Sequence, residues 1–354
     1  MDILSTITEL SHAFGTDEYV KAGGGNTSCK TADTLWVKPS GTTLSGLKPE
    51  TFVAMDRKLL GRLYATETPG DPAAREELVK QMMAAAVKPE TPGRASVEAP
   101  LHDSLSARFV VHTHPACVNG LTCAIGGRQA AKRLFPEALW MPYVDPGYTL
   151  CMAVRRAIAA YRSAHGCEPS LLFLENHGVF VAGDTADEIR AVYARVMKTL
   201  RGTYAECGIK ETVDVGRAPG ENELDGWRKV LSAGLGSDAV SVAGSGRFEI
   251  GSGPISPDHI VYSKSYPFEG VLTSENLCAF KEERGYSPRV VVTDTAVLGV
   301  GSSPKAAALA LELAKDGALV RKLARAFGGL RYLSDVSRGF IENWEVESYR
   351  SKQA

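Results

Sequence analysis

The sequence predicts an α/β protein of two domains, and three observations support this prediction. The chain has 354 residues, more than one hydrophobic core usually serves. Apolar runs of strand length alternate with longer stretches in which apolar residues repeat at helical spacing. A polar segment containing glycine and proline, residues 212–222, interrupts this pattern, so we expect domains at residues 1–212 and 213–354.

The elements of the first domain follow from periodicity and from turn-forming residues. Apolar residues at helical spacing predict a helix over residues 3–14, and a glycine run followed by polar residues predicts a loop over residues 23–28. Ser96 is expected to cap a short helix. The other predicted elements are a strand at 35–37, a loop at 66–72, helices at 75–87 and 151–162, strands that lead to His112 and to His177, and a helix that opens at 183–185 and runs to about Leu200.

The second domain is predicted from fewer signals. Apolar β-branched runs predict strands at residues 289–292 and 297–300. A Ser-Ser-Pro sequence then caps a long helix rich in alanine and leucine, residues 305–327, which Gly328 and Gly329 end. The glycine-serine turn before this helix could bind an anion, but an ordinary strand-to-helix turn explains it equally well.

Composition excludes several classes of partner. The net charge is −1, with 40 Lys and Arg against 41 Asp and Glu, so neither nucleic acid nor an anionic membrane is expected as a partner. The seven cysteines form no C-x-x-C pair, which is typical of reduced thiols in a cytoplasmic protein. The N-terminus lacks the pattern of a signal peptide, and no apolar run approaches the roughly 20 residues that span a bilayer.

Three histidines are the strongest chemical signal in the sequence. His112 and His114 end an apolar run of strand length, and alternate strand residues face the same side. His177 follows a second such run. Three imidazoles that met would form an open site of the kind that catalytic zinc occupies. The alternative is that these are ordinary packed or surface histidines, because the sequence does not show that His177 reaches the other two.

Glu98 also has two interpretations. It lies at the start of the short helix, with His102 one turn later on the same face. A glutamate in a first helical turn is often only a charge that complements the helix dipole. Beside a metal, the same carboxylate could act as a general acid or base.

A glycine-rich segment precedes these residues. Small residues at Gly23–Gly25 and at Ser40 and Gly41 would let backbone amides approach an anion, with Asn26 supplying further donors. Ordinary turns are the alternative. The spacing matches neither a phosphate-binding loop of the Walker type nor a dinucleotide fingerprint.

Taken together, these segments resemble the class II aldolase/adducin family. Five matching stretches occur in the family's order over roughly the first 210 residues: Gly24–Ser28, Val37–Gly41, Ser96–Glu98, Val111–Pro115, and Asn176–Gly178 followed by Gly183–Thr185. The resemblance implies a three-layer α/β/α sandwich with a central mixed or antiparallel sheet, followed by a smaller C-terminal α/β domain. Ser96–Glu98 with His102, the segment 142–147 and the segment 340–344 also resemble the aldolase part of bifunctional rhamnulose-1-phosphate aldolase/alcohol dehydrogenase proteins, without the dehydrogenase domain.

The resemblance also implies roles for individual residues. Zn²⁺, or another divalent ion such as Mn²⁺ or Co²⁺, would be held by three histidines, and one glutamate would be the catalytic acid and base. One departure is Val97, which stands where fuculose-phosphate aldolases carry a second serine. The implied residues are His112, His114 and His177 for the metal, Glu98 for catalysis, and Asn26, Ser40, Gly41 and Ser96 for the substrate phosphate.

The implied activity is cleavage of a ketose 1-phosphate to dihydroxyacetone phosphate and an aldehyde, through an enediolate that zinc stabilises. The small phosphorylated sugar would be the only ligand besides the metal, and the protein would be a homo-oligomer, a tetramer by resemblance. Family members with the same site chemistry act as sugar-phosphate epimerases, 3-oxo-acid phosphate decarboxylases or dehydratases. A non-catalytic module of the adducin type is a further alternative, which the retention of Glu98 and the three histidines disfavours.

Overall fold

A computed structural model describes residues 2–91, 93–236 and 240–344. It divides the chain into two compact units. The first contains residues 1–118 and 127–202, and the second contains residues 119–126 and the chain from residue 203 onward. The boundary at residue 212 that the sequence suggests stays a prediction.

The first unit is built on a seven-stranded mixed sheet, as the sequence predicted. Its strand order is β3-β2-β1-β4-β7-β6-β5, in which β5 and β6 are parallel and all other neighbours are antiparallel. The strands are β1 (Asn26–Lys30), β2 (Thr34–Val37), β3 (Val53–Asp56), β4 (Phe109–Thr113), β5 (Leu139–Met141), β6 (Leu171–Leu174) and β7 (Gly178–Gly183).

Helices cover both faces of this sheet. Val110 of β4 packs in one apolar cluster with residues of α4 and α7, whereas Thr113 on the opposite face bonds to Tyr193 of α8. The alternation of β4 therefore separates the two helical layers. The helices that begin in this part of the chain are α1 (Ile3–Phe14), α2 (Arg57–Leu63), α3 (Pro72–Ala86), α4 (Ala99–Ser104), α5 (Ala116–Thr122), α6 (Gly127–Leu134), α7 (Tyr148–His165) and α8 (Ala186–Glu206).

Three local expectations are corrected by the structure. Residues 26–28 belong to β1 rather than to a loop, because pairing with β2 and β4 on both sides outweighs the turn preference of Asn26 and its neighbours. Helix α3 begins at Pro72, inside the expected loop, since proline is favoured in a first turn and Asp71 caps it. Helix α4 begins at Ala99 with Glu98 at the N-cap, and Ser96 lies before it.

The second unit has a four-stranded sheet in the order β8-β11-β10-β9. Leu231 and Leu277 belong to the apolar cluster on one face, and Leu311 belongs to the cluster on the other. A Cβ at Gly299 would lie 2.1 Å from the carbonyl oxygen of Ala307, so glycine permits the close helix-to-strand approach. The elements are α9 (Glu221–Leu235), β8 (Ser241–Gly246), α10 (Pro257–Ser263), β9 (Phe268–Glu269), α11 (Ser274–Arg284), β10 (Val290–Val292), β11 (Ala296–Gly301), α12 (Pro304–Ala324) and α13 (Asp335–Asn343).

Within the described parts of the chain, none of these helices combines the length and the apolar character that crossing a bilayer requires.

Candidate metal centre

The three histidines come from two neighbouring strands of the first sheet. His112 lies in β4 on the same face as Val110, and His114 follows two residues later, just past the strand end. His177 lies in the tight turn between β6 and β7, where Asn176 adopts a positive φ of 52°. Because β4 and β7 pair directly, the turn brings His177 to the end of β4.

The ring nitrogens of these histidines converge. The Nε2 atom of His112 lies 2.9 Å from Nε2 of His114 and 3.4 Å from Nε2 of His177. One ligand atom from each residue falls within a group that spans 4.8 Å or less. His112 and His177 are buried and His114 is half-buried. Three imidazole nitrogens in this arrangement fit a divalent metal with one position left open.

The contacts of His112 prepare its ring for metal binding. Its Nδ1 lies 2.9 Å from the backbone carbonyl oxygen of Val179, which can only accept, so Nδ1–H donates and Nε2 keeps its lone pair. The ring also stacks on Phe180, with centroids 3.8 Å apart. Burial lowers the pKa of His112, with a further contribution from His114, and this favours the neutral form that binds metal. Sequence reasoning missed Val179 and Phe180, although both lie beside the Asn-His-Gly motif.

Gly178 allows the third histidine to approach the other two. A Cβ at this position would lie 2.5 Å from the carbonyl oxygen of Thr113 and 2.6 Å from Cδ2 of His114. Both distances are shorter than real Cβ contacts, so a side chain here would displace the His114 ring or the β4 end.

Gly178→Ala is therefore expected to weaken metal binding at least about tenfold and to cost about 1–3 kcal/mol of stability through overpacking. Metal titration and thermal unfolding measure the two effects. Gly202→Ala is the matched control, because a Cβ at that helical position meets nothing within 4 Å. Unchanged metal affinity in Gly178→Ala would show that the close approach of these strands does not set the geometry of the site.

The Glu98 carboxylate joins the histidines. Its Oε1 atom lies 3.2 Å from Nε2 of His112 and 3.7 Å from Nε2 of His177. Its Oε2 atom accepts a hydrogen bond of 3.2 Å from the Asn26 amide. Burial by itself would raise the pKa of Glu98, but the nearby His112, His177 and His102 outweigh burial, so this pKa lies well below its usual value. The carboxylate is thus held ionised beside the histidine nitrogens.

The residues that the resemblance assigns to phosphate lie on neighbouring segments. The Asn26 amide donates a 2.5 Å bond to the Ser96 hydroxyl. Pro39 pairs with Ala95, and the Ser40 backbone N–H donates to the carbonyl of Arg94, so Ser40 and Gly41 lie next to the Ser96 segment. Gly41 has a φ of 81°, which favours glycine. Their role in phosphate binding stays a prediction.

Comparison with known proteins adds a family to this geometry. Residues 5–204 match the model of the class II aldolase and adducin N-terminal domain, which is more than half of the chain. The uncharacterized oxidoreductase YuxG of Bacillus subtilis (strain 168) is 31% identical over 188 residues, 50% of this chain and 26% of that protein. The chain thus spans about a quarter of the length of this curated relative.

Three solved structures illustrate the similarity of the fold. The N-terminal class II aldolase domain of a conserved Thermoplasma acidophilum protein is 22% identical with a TM-score of 0.48, covering 56% of this chain and 92% of that one. The L-fuculose-1-phosphate aldolase of Thermus thermophilus is 16% identical with a TM-score of 0.38, covering 58% and 94%. A sugar-phosphate aldolase of Thermotoga maritima is 12% identical with a TM-score of 0.41, covering 59% and 97%.

Proposed function

Because this chain belongs to the class II aldolase and adducin N-terminal domain family, we propose that it is a zinc-dependent aldolase acting on a ketose 1-phosphate. The products would be dihydroxyacetone phosphate and an aldehyde. The observation that carries the proposal is the ionised Glu98 carboxylate, whose Oε1 atom lies within 3.7 Å of two of the three converging histidine nitrogens. A metal site with an adjacent acid–base residue suits chemistry at a carbon next to a carbonyl group.

Three histidines would hold the metal, and Glu98 would move the proton. A divalent ion held by His112, His114 and His177 would supply Lewis-acid stabilisation of a substrate oxyanion, about several kcal/mol. In the cleavage direction, protonated Glu98 delivers its proton to the substrate carbon freed by breaking the carbon–carbon bond. In the synthetic direction, the carboxylate removes a proton from that carbon. Its fixed place beside the histidines keeps the reacting carbon within reach.

The phosphate would bind at the neighbouring loop. Ser40 and Gly41 offer a hydroxyl group and backbone amides, and their pairing with the segment before Ser96 holds them near Glu98. The Ser96 hydroxyl accepts from the Asn26 amide and from the Glu98 backbone N–H, and it keeps its own hydrogen for a phosphate oxygen. Family resemblance further supports a cytoplasmic homo-oligomer, with a tetramer as the expected state.

A screen of phosphorylated ketoses tests this function. Purified protein loaded with zinc is expected to release dihydroxyacetone phosphate from at least one ketose 1-phosphate, and a chelator should abolish the release until zinc is restored. Gel filtration of the same preparation reports the oligomeric state. Bound zinc without release from any ketose would contradict aldol cleavage and favour the epimerase, decarboxylase or dehydratase chemistry of the family.

A further inference from the structure

Both amide hydrogens of Asn26 are bonded inside the protein. One is donated to the Ser96 hydroxyl over 2.5 Å and the other to Oε2 of Glu98 over 3.2 Å. The side chain is almost completely buried, with 1% of its surface exposed. A phosphate oxygen can only accept hydrogen bonds, so this side chain has no donor left for it.

The neighbouring carboxylate fixes the orientation of this amide. Rotating the amide by half a turn would place its carbonyl oxygen against Oε2 of Glu98, two acceptors with no hydrogen between them. In the orientation that the structure has, the Asn26 carbonyl oxygen is buried without a hydrogen-bond partner. The bond to Glu98 is therefore kept even though the other end of the amide is unsatisfied.

Asn26 belongs to a row of polar residues on one face of β1. Asn26, Ser28 and Lys30 alternate along the strand, and all three are buried. Ser28 bonds to the His102 ring over 2.8 Å, and the Lys30 ammonium group donates to the backbone carbonyls of His102 and Leu105. Each member thus bonds to the segment that carries Glu98, residues 96–105.

The row holds this segment rigidly. Burial lowers the pKa of His102 to about 3, so its ring is a neutral partner for Ser28 at ordinary pH. The His102 ring packs edge-on against Phe180, the same ring that stacks on His112. Strand β1 thereby ties the acid–base residue to the strand pair that carries the histidines, and Asn26 makes the one bond in the row that reaches the carboxylate itself.

We propose that Asn26 positions the Glu98 carboxylate and is not a ligand of the substrate phosphate, an inference that rests on the proposed function. One carboxylate oxygen is held by the Asn26 amide, which leaves the other, Oε1, facing the histidine nitrogens and the substrate carbon. The phosphate then depends on Ser40, Gly41 and Ser96. The resemblance places Asn26 in the phosphate site, and the hydrogen bonds of this chain assign it to the acid–base site instead.

The test separates turnover from phosphate binding. Glu98 is expected to exchange a C–H hydrogen of dihydroxyacetone phosphate with D₂O, and NMR measures the kcat and KM of this exchange in the zinc-loaded protein. Asn26→Ala should lower kcat at least about tenfold, because the general acid–base effect depends on placement. KM, and the Kd of inorganic phosphate by calorimetry, should change less than about twofold, within the scatter expected for a residue that does not contact the ligand.

Control variants bracket this result. Ser40→Ala should raise the Kd of inorganic phosphate about tenfold, the scale for losing a bond to a charged group. Asn276→Ala, an exposed asparagine of α11, should leave all three quantities unchanged. Asn26→Asp keeps the shape of the side chain but loses both donors, so it serves if Asn26→Ala does not fold. A tenfold weaker phosphate affinity in either Asn26 variant, with kcat retained, would overturn the proposal.

A crystal structure decides the inference independently of activity. In Asn26→Ala the Glu98 carboxylate is expected to leave its place by about 1 Å or more, a displacement large enough to impair catalysis. A carboxylate that stays in place in the variant would overturn the positioning role. Absence of deuterium exchange in the wild-type protein would contradict the proposed function, while the comparison of carboxylate positions would still test Asn26.

Discussion

Glu98→Gln is expected to lower turnover at least about 100-fold while the metal stays bound. Glutamine has nearly the same shape and can still accept the hydrogen bond from Asn26, but it cannot take up or release the catalytic proton. The three histidines that would hold the metal are unaltered. Deuterium exchange into dihydroxyacetone phosphate measures the proton transfer, and atomic absorption measures the metal content.

Glu77→Gln provides the matched control, because that glutamate lies exposed on α3 and bonds to Gln81 within the same helix. Its exchange rate and metal content should equal those of the wild-type protein. If Glu98→Gln kept near-normal turnover, a different group would have to move the proton. If it lost its metal, Glu98 would be a ligand that the site requires.

His114→Ala is expected to lose both the metal and the activity. Its Nε2 lies 2.9 Å from that of His112, so its removal leaves two imidazole ligands where catalytic sites typically have three. We expect metal content below about a tenth of the wild-type value after dialysis, a larger effect than removing an outer-shell contact. Atomic absorption on the purified variant measures it.

His165→Ala is the control for this experiment. That histidine is exposed at the end of α7 and packs against Tyr161. It should keep full metal content and turnover. Full metal occupancy in His114→Ala would remove His114 from the ligand set and leave the metal to the two remaining histidines with other groups.

The fold class was predictable because its signals are local. Apolar residues at helical spacing located α1 and most of α3 and α12, and apolar runs located β4 and β6. Strand β1 was missed because its residues, Asn-Thr-Ser-Cys-Lys, have no alternating apolar pattern. The strand lies between β2 and β4, so both of its edges are paired and all five of its residues are buried.

The candidate site divides in the same way. The common orientation of His112 and His114 follows from alternation within one strand. The meeting of His112 with His177, 65 residues away, depends on the pairing of β4 with β7. The contact of Glu98 with Asn26, 72 residues apart, depends on the packing of the 96–105 segment against β1.

The sequence alone determined the α/β class, the family motifs and the residue types of a metal site with an acid–base group. Only the tertiary structure decided which of these side chains meet and which of their donors remain open. The reason is that backbone periodicity acts over a few residues, whereas hydrogen bonds between distant segments depend on strand pairing and packing. Asn26 illustrates the difference: its motif implies a phosphate ligand, while its two buried bonds direct it to Ser96 and Glu98.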